Sequence, residues 1–326
     1  MRIGVVMEAF ADWSLAEALD WLTANAPQVT DLEIIAGGYG PTGHCDRDAL
    51  LADDEVRRRW LGDIEDRGMR LAALNAWGNP LHPDPAVAAR QDADLRATIR
   101  LAAALGVDRV VAMAGCPGAG QRDRDVPHFA GGAWLPDLEG VTEWQWEAAV
   151  LPYWSALAAF AQAEHPDLLV CLELHPGTVV NNVETFERLS EVGASIAANI
   201  DPSHFFWQHM DAFAIVDRLG PRIGHAHAKD VTFDAANLAL NGLLDRRWPA
   251  PPAAMPWNFA AVGDGHDAAW WHGLAARLDA SGRAATIAIE HEDPFVAATE
   301  GIPAAARLLA SADTGAAGSA AARHAP

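Results

Sequence analysis

The chain has 326 residues, of which 51% are hydrophobic, and its formal net charge at pH 7 is -21. This length and apolar content are sufficient for one large domain with an extensive core. The negative charge would repel phosphate backbones and anionic lipid surfaces, so it disfavours a nucleic acid or a membrane as a partner.

The amino terminus and the cysteines favour an intracellular protein. Met1 to Gly4 lead into an apolar stretch that is too short for a signal peptide, and no apolar run is long enough to cross a membrane. Cys45, Cys116 and Cys171 are scattered without CxxC spacing, which fits a reducing compartment and provides neither a disulfide framework nor a zinc knuckle. We therefore expect a soluble, cytoplasmic protein.

Eight short apolar runs alternate with longer helical patterns, which is typical of βα units around a parallel sheet. Most runs are continuous stretches of Val, Ile, Leu and Ala, as a strand that is covered on both faces requires. The predicted strands are Ile3 to Met7, Leu32 to Ala36, Arg70 to Leu74, Arg109 to Ala114, Leu168 to Leu174, Ile196 to Ile200, Ile223 to Ala228 and Ala285 to Glu290. Eight such units predict an α/β fold, a single (β/α)8 or TIM barrel.

The segments between these strands have apolar residues at three- and four-residue spacing, which predicts helices. The clearest are Asp54 to Arg67, Pro85 to Leu105, Val183 to Glu191 and Ala268 to Ala280. Several helical patterns are followed by a glycine shortly before the next strand, namely Gly68, Gly106, Gly193, Gly220 and Gly282. A glycine in this place predicts a helix end at which the residue adopts the left-handed conformation.

Two connections are too long for plain turns: residues 117 to 142 after the fourth strand and residues 231 to 266 after the seventh. Both follow the carboxyl ends of strands, where the active sites of barrels lie, and loops of this length are usually lids or interfaces. Their ring-bearing residues could close over a ligand or contact another subunit: His128, Phe129, Trp134, Trp248, Trp257 and Phe259.

The last residues of the chain differ in composition from the rest. From about Ser311 the sequence is rich in Ala, Gly and Ser, and such a segment cannot bury much apolar surface. We expect a barrel domain over residues 1 to 310 and a flexible Ala-rich tail over residues 311 to 326, to which we assign no function.

Acidic residues and histidines are concentrated at the carboxyl ends of the last four predicted strands. The strands end in Leu-Glu-Leu-His (172–175), Asn-Ile-Asp-Pro-Ser-His (199–204), His-Ala-His-Ala-Lys-Asp (225–230) and Ile-Glu-His-Glu-Asp (289–293). Because the carboxyl ends of parallel strands meet at one end of a barrel, four successive strands each bring a ligand-type side chain to that end.

Glu173 and Glu290 lie among Leu and Ile residues, where a charged side chain is costly unless it is paired or binds a metal. One divalent cation between Glu173, Asp201, His227 and Glu290 would satisfy both; a salt-bridge cluster is the alternative. Three carboxylates and one imidazole suit Mn²⁺, Mg²⁺, Co²⁺ or Fe²⁺ better than a structural Zn²⁺, which favours thiolates, and Mn²⁺ is our first choice. The ion would polarise a carbonyl group and stabilise the enediolate that forms when the neighbouring carbon loses its proton.

These strand ends form a set of motifs: Glu at the fifth strand, Asp-x-x-His after the sixth, His-x-Lys-Asp at the seventh and Glu at the eighth. The set resembles the sugar phosphate isomerase/epimerase family of xylose-isomerase-like barrels, and the similarity extends to about residue 310. Four further motifs most resemble one subgroup of that family: His-Cys-Asp (44–46), Gly-Asn-Pro-Leu-His-Pro (78–83), Glu-x-His-Pro-Gly (173–177), and Trp-Asn-Phe followed by Gly-x-Gly-His (257–266). That subgroup is similar to the catalytic subunits of bacterial C-glycoside deglycosidases.

The resemblance implies a metal-dependent sugar isomerase or epimerase that removes a proton next to a carbonyl, with Glu173, Asp201, His227 and Glu290 as metal ligands. In ketose 3-epimerases of the family, the two ligand glutamates exchange the proton on opposite faces of the sugar, which would make Glu173 and Glu290 the catalytic pair. This chain departs from those epimerases in its long loops and its additional histidines, so a histidine such as His175 is an equal candidate for the base.

The similarity to C-glycoside deglycosidases implies an alternative function. Such a lyase eliminates the aglycone from a 3-oxo glycoside, in which the ketone acidifies the adjacent carbon. The long aromatic loops could enclose the larger leaving group. Because those enzymes work with a small partner subunit, this alternative also predicts a partner subunit.

Six further residues are candidates for contacts with the substrate: His204, His44, His82, Lys229, Trp257 and His266. Structural roles are the alternatives. His204 could orient a metal ligand, Lys229 could pair with a neighbouring strand end, and His266 could cap the following helix. His225 shares a strand face with His227 and is a rival metal ligand.

No strong basic cluster accompanies the proposed metal site, so we expect a neutral sugar or glycoside as the substrate rather than a sugar phosphate. A DNA repair endonuclease on the related barrel would need more metal ligands and a basic groove, and the net acidity disfavours it. A metal-bearing scaffold that only binds a sugar or a partner subunit remains a further alternative, because this barrel hosts many functions.

Overall fold

The computed structural model describes residues 1–129, 136–244 and 251–311. The strands in these ranges are β1 Arg2–Val6, β2 Val29–Ile35, β3 Arg70–Asn75, β4 Arg109–Met113, β5 Leu169–Glu173, β6 Ile196–Ile200, β7 Ile223–Ala228, β8 Asp230–Phe233, β9 Trp257–Ala260 and β10 Thr286–Ile289. Eight of them form a closed parallel barrel in the order β1-β10-β7-β6-β5-β4-β3-β2. The predicted (β/α)8 barrel is therefore confirmed.

Helices separate the barrel strands along the chain and pack against the outside of the barrel. They are α1 Leu15–Asn25, α2 Arg47–Ala52, α3 Asp54–Glu65, α4 Pro85–Leu105, α5 Val141–Gln145, α6 Leu151–Glu164, α7 Val183–Ser190, α8 Ser203–Phe206, α9 Ala212–Leu219, α10 Ala235–Asn241, α11 Ala268–Ala280 and α12 Ala298–Ala310. None of these helices is long and apolar enough to cross a membrane. The predicted tail, apart from Ser311, lies outside the described residues.

The strands are apolar because both of their faces are covered. Every residue of β5, β6 and β7 is buried. The layer between the strands and the helices contains large fully buried side chains, including Trp154, Phe186 and Trp271. The interior of the barrel holds a separate layer of mostly small residues, namely Ala73, Val111, Leu169, Cys171 and Ala197. This layer leaves the carboxyl ends of the strands free for polar side chains.

The amino end of the barrel is closed by an ion-pair cluster around Asp31, which is fully buried in β2. Arg70 Nε donates to Asp31 Oδ1 at 2.9 Å, and Arg2 Nε lies 3.3 Å from Asp31 Oδ2. Thr286 of β10 donates its hydroxyl to the same carboxylate. Four strands are thereby linked at this end of the barrel.

The long connection after β7 forms an antiparallel ribbon in which β8 pairs with β9. The ribbon includes Trp257 and Phe259, and it is followed by a turn that leads into α11. The sequence predicted a long loop here without this pairing. Trp248 of this connection and Trp134 of the connection after β4 lie outside the described residues.

Four of the five glycines that were predicted to end helices have a positive φ. The values are 73° for Gly68, 70° for Gly106, 50° for Gly220 and 80° for Gly282. The prediction for Gly193 is wrong, because its φ is not positive. A Cβ atom at Gly193 would lie 2.9 Å from the Cβ of Ala158 in α6, so this glycine permits a close approach between the chain and that helix.

Two glycines give opposite predictions for the same substitution. Gly106 adopts φ 70° and ψ 24° at the end of α4, whereas Gly62 lies inside α3, and neither has an atom within 4 Å of its would-be Cβ. Gly106→Ala should lower the free energy of unfolding by about 1–2 kcal/mol, because an L-residue is strained there. Gly62→Ala should raise it by about 0.5–1 kcal/mol, since alanine restricts the unfolded chain and favours a helix. Urea unfolding of both variants checks this, and equal signs would contradict the assigned helix end.

Candidate active site

A cavity of about 210 Å³ lies at the carboxyl ends of the barrel strands. Its lining residues are Glu8, Asn75, Trp77, Met113, Glu173, His175, Lys229, Phe259, Glu290 and Glu292. A larger cavity of about 670 Å³ lies at the amino end, lined in part by Met1, Arg2 and Asp279. We place the site in the smaller cavity, because barrel active sites occupy the carboxyl end and the predicted ligand-type residues converge there.

The alternation of side chains along the strands builds this end of the site. In β5, Leu169, Cys171 and Glu173 point into the barrel in succession, and β7 places His225 and His227 on one face in the same way. The first two inward residues of β5 are apolar and the last is acidic. The inward-facing acid of β5 therefore lies where the strand ends.

The structure brings the four predicted metal ligands to one centre. His227 Nδ1 lies 2.9 Å from Glu290 Oε2 and 3.8 Å from Glu173 Oε2. Glu173, Asp201 and His227 each offer a ligand atom, and these atoms lie within 4.8 Å of one another. All three side chains are buried, and Glu290 joins them through its contact with His227.

The donor set fits a divalent cation. Three carboxylates and one imidazole are ligands suited to such ions. Asp201 Oδ2 and His204 Nε2 are buried without a hydrogen bond of good geometry, although Lys229 Nζ lies 3.1 Å from Asp201 Oδ2 and His204 Nε2 lies 2.8 Å from Glu173 Oε1. Buried polar atoms without a hydrogen bond are uncommon in folded proteins, so these two atoms are available to a bound group.

Lys229 is the cation that the chain itself supplies to this centre. Its Nζ lies 2.9 Å from Glu290 Oε2, 2.9 Å from Glu292 Oε2 and 3.1 Å from Asp201 Oδ2. Burial lowers the pKa of Lys229, but Asp201, Glu290 and Glu292 outweigh burial and hold that pKa well above its usual value. In the structure, Lys229 therefore pairs with acids at neighbouring strand ends, which is the structural alternative to a substrate contact.

The two predicted catalytic glutamates differ in their electrostatic surroundings. Burial, followed by the charge of Glu290, raises the pKa of Glu173 to about 7. Burial also raises the pKa of Glu290, but Lys229 and His227 outweigh burial and hold it well below the usual range. Within the chain alone, Glu290 is therefore the weaker base of the two.

Glu33 of β2 is a buried acid that the sequence analysis missed. Its Oε2 lies 2.7 Å from His225 Nε2 and 3.0 Å from His227 Nε2, and Asn75 Nδ2 donates to its Oε1 at 2.6 Å. Burial raises the pKa of Glu33, but the two histidines outweigh it and lower that pKa far below its usual value. Glu33 fixes the orientation of His227, so that Nδ1 faces the other ligands. It also engages His225, the rival ligand, deeper in the barrel.

His175 and His204 lie beside Glu173. Their ring centroids are 4.1 Å apart, and His175 lines the cavity. Burial and the neighbouring His204 lower the pKa of His175 to about 4, while burial lowers the pKa of His204 to about 4. Both imidazoles are therefore neutral at pH 7, where they can accept a hydrogen bond but are weak bases.

Two predicted substrate contacts have structural partners and do not line the cavity. His44 Nε2 lies 2.9 Å from the backbone oxygen of Trp13, and His44 is buried. His82 Nδ1 accepts a hydrogen bond from the backbone N–H of Asp84 at 3.0 Å, at the beginning of α4. These contacts hold loops at the rim of the barrel.

His266 and Trp257 likewise do not line the cavity. His266 Nδ1 lies 2.7 Å from Asp230 Oδ1, and its ring stacks on Phe206. The cap of α11 is the next residue, Asp267. Trp257 is buried and stacks on Trp207 with an interplanar angle of 12°. The aromatic residues that do line the cavity are Trp77 and Phe259.

Comparison with known proteins relates the chain to one family. Residues 38–312 match the model of the family described as xylose isomerase-like TIM barrel. The Bacillus subtilis (strain 168) protein described as uncharacterized protein YfiH is 34% identical over 312 residues, which cover 95% of this chain and 98% of that protein.

Two solved structures share the fold. The probable 3-DHS dehydratase AsbF from Bacillus anthracis has a TM-score of 0.62 and 14% identity, over 95% of this chain and 99% of that chain. The 3-keto-D-glucoside 4-epimerase YcjR from E. coli has a TM-score of 0.60 and 15% identity, over 96% of this chain and 99% of that chain. At these identities, the likeness concerns the fold alone.

The role of Glu33 can be tested without a substrate. Glu33→Gln keeps the size of the side chain but removes the charge that holds His225 and His227, so EDTA-treated protein should lose about 1.5–3 kcal/mol of unfolding free energy. Divalent-metal binding should weaken about 10- to 100-fold, because the imidazole ligand is less firmly oriented. Urea unfolding and Mn²⁺ titration measure the two effects, with the exposed Glu65→Gln in α3 as the matched control. Unchanged Mn²⁺ affinity would contradict the orienting role.

Proposed function

The chain belongs to the family of xylose isomerase-like TIM barrel proteins, and from this premise we propose that it is a metal-dependent sugar epimerase or isomerase. The observation that carries the proposal is a carboxylate and imidazole centre that borders a small cavity with further carboxyl groups. A reaction that moves a proton on a carbon next to a carbonyl needs a group to stabilise the resulting charge and a carboxyl or imidazole to carry the proton.

The cavity has dimensions and a lining suited to one monosaccharide unit. Its volume of about 210 Å³ is smaller than the roughly 300–1,000 Å³ of pockets that take drug-sized ligands. Trp77, Met113 and Phe259 supply apolar surface, against which the C–H groups of a sugar can pack. The remaining lining is mostly acidic, with Asn75 and His175 as neutral polar groups, so sugar hydroxyls have acceptors on several sides.

The charge of the cavity favours a neutral substrate. Four glutamates line it, and Lys229 is the one basic residue among its lining residues in the described chain. Lys229 Nζ already forms ion pairs with three carboxylates. A phosphate or carboxylate group on the substrate would therefore meet negative charge, with no free cation among the described lining residues to bind it.

We propose that Glu173, Asp201, His227 and Glu290 hold the metal, with Mn²⁺ as the first candidate. When bound, the ion would supply Lewis acidity that makes the carbon next to the carbonyl more acidic. Glu33 orients His227, and Lys229 offsets the charge of Asp201 and Glu290. Lys229 Nζ lies 4.6 Å from the centroid of the Phe259 ring, so this aromatic residue packs against the charged centre.

One set of experiments tests both the binding of a metal ion and the proposed reaction. Purified protein should bind about one divalent ion per chain, and in deuterium oxide it should place deuterium in a recovered or epimerised neutral ketose, as followed by NMR. EDTA should abolish the exchange and Mn²⁺ should restore it. Asp201→Asn should lose the bound ion and the exchange, because an amide is a poor substitute for a buried anionic ligand.

Asp264→Asn, at an exposed position outside the cavity, is the matched control and should retain both properties. Release of an aglycone from a 3-oxo glycoside without exchange into ketoses would replace the epimerase by a lyase. A metal-bearing protein without turnover on any sugar would reduce the function to binding.

Substrate charge gives a separate prediction. A unit charge placed about 8 Å from a carboxylate costs about 2 kcal/mol at an effective dielectric constant of 20, so a phosphorylated ketose should have a kcat/KM at least about tenfold below that of the free ketose. Competition between the two in one reaction measures the ratio. A preference for the phosphorylated sugar would contradict the acidic character that we assign to the cavity.

A further inference from the structure

Glu8 is an acid of the cavity that has no hydrogen-bond or ion-pair partner in the part of the chain that the structure describes. It follows β1 in a short 3-10 helix, Met7–Phe10, whose end residues Met7 and Phe10 are buried and fix the position of the turn. The side chain is half-buried and lines the cavity. Its carboxyl group makes no hydrogen bond or ion pair with the described residues, and only burial and the charges of neighbouring groups act on it.

The barrel places Glu8 opposite Glu173. In the order β1-β10-β7-β6-β5-β4-β3-β2, β1 and β5 are four strands apart in either direction around an eight-stranded ring. Glu173 ends β5 and Glu8 follows β1, and both line the same cavity. A sugar bound in the cavity would therefore have one of these carboxyl groups on each side.

Glu290 is less well placed for that task. It follows β10, which is adjacent to β1 rather than opposite β5. Its Oε2 lies 2.9 Å from both Lys229 Nζ and His227 Nδ1. These two contacts direct the Glu290 carboxylate towards Lys229 and His227.

We propose that Glu8 and Glu173, rather than Glu173 and Glu290, are the two proton-transfer groups of an epimerisation in this cavity. The assignment rests on the proposed function and makes inversion of one carbon centre the reaction. Glu173 takes the proton from the carbon next to the carbonyl, and the electron pair of the broken C–H bond moves towards the carbonyl oxygen. Glu8 then gives its own proton to the other face of that carbon. The new C–H bond forms, Glu173 ends protonated and Glu8 ends as a carboxylate. Exchange with water resets both groups.

The charges around Glu8 agree with a group that begins the reaction protonated. Glu290 and Glu292, which follow β10, line the same cavity as Glu8, and the charge of Glu33 in β2 also acts on it. Burial, then Glu290 and Glu292, raise the pKa of Glu8 to about 7, and Lys229 of β7 opposes them. A substantial fraction of Glu8 is therefore protonated near neutral pH.

The test separates proton exchange from inversion. Wild type and Glu8→Gln, each loaded with Mn²⁺, are incubated in deuterium oxide with either member of the 3-epimer pairs D-fructose and D-psicose or D-tagatose and D-sorbose. In Glu8→Gln, epimer formation should fall by about 10²- to 10⁴-fold, the usual contribution of a general acid or base. The epimer whose proton faces Glu173 should still take up deuterium with retained configuration, whereas the other epimer should become inert. A merely structural role would lower exchange and inversion together.

The outcomes are distinct. Metal content and Tm should be unchanged in Glu8→Gln, Glu8→Asp should recover part of the inversion, and the exposed Glu65→Gln should behave as wild type. A parallel fall of exchange and inversion, or full epimerisation by Glu8→Gln, overturns the assignment of Glu8 and leaves the proposed function standing. Wild type that exchanges no deuterium with any of these sugars overturns the proposed function and the assignment with it.

Discussion

The compensation of buried negative charge at the carboxyl end of the barrel is the constraint on which the rest of the site depends. Glu33, Glu173 and Asp201 are all buried there, and Glu290 is nearly so. An isolated carboxylate in such a place would be protonated or would destabilise the fold. Two histidines and one lysine contact some of these acids. They do not neutralise all of the negative charge, so a deficit of positive charge remains. We propose that this deficit favours a divalent ion and disfavours anionic substrates, and together with burial it raises the pKa of Glu8.

The architecture confines this charge to one end. Inward-facing positions alternate along each strand, so the same strands supply small apolar residues in the middle and acids at the carboxyl end. At the amino end, Asp31 is buried as well, but Arg2, Arg70 and Thr286 satisfy it within the fold. The buried negative charge is therefore paired at the amino end of the barrel and only partly neutralised at the carboxyl end. The contrast between the two ends, rather than the presence of acids, distinguishes the reactive end from the structural one.

The sequence predicts most of the barrel because continuous apolar runs mark strands that are covered on both faces; the limits of β6 and β7 agree to the residue. The proposed metal set was predicted from charged residues at the ends of the last four strands. Glu33 is likewise a charged residue within an apolar predicted strand, but it lies in the second strand, outside that pattern. No sequence pattern indicated Glu8, because it reaches the cavity through the short 3-10 helix that follows β1. The roles of His266 and Trp257 depend on how β8 pairs with β9, which residue spacing does not reveal.

The acids of this site differ in their partners within the chain. Glu33 and Glu290 each lie within 3.0 Å of two histidine or lysine nitrogens. Glu173 lies 2.8 Å from His204 Nε2 and 3.8 Å from His227 Nδ1, whereas Glu8 has no hydrogen bond or ion pair among the described residues. A proton-transfer group must reach the substrate and must be able to gain and lose its proton in each turnover. Under the proposed function, the positions of Glu8 and Glu173 on opposite sides of one cavity therefore argue for their pairing more strongly than membership of the proposed metal centre does.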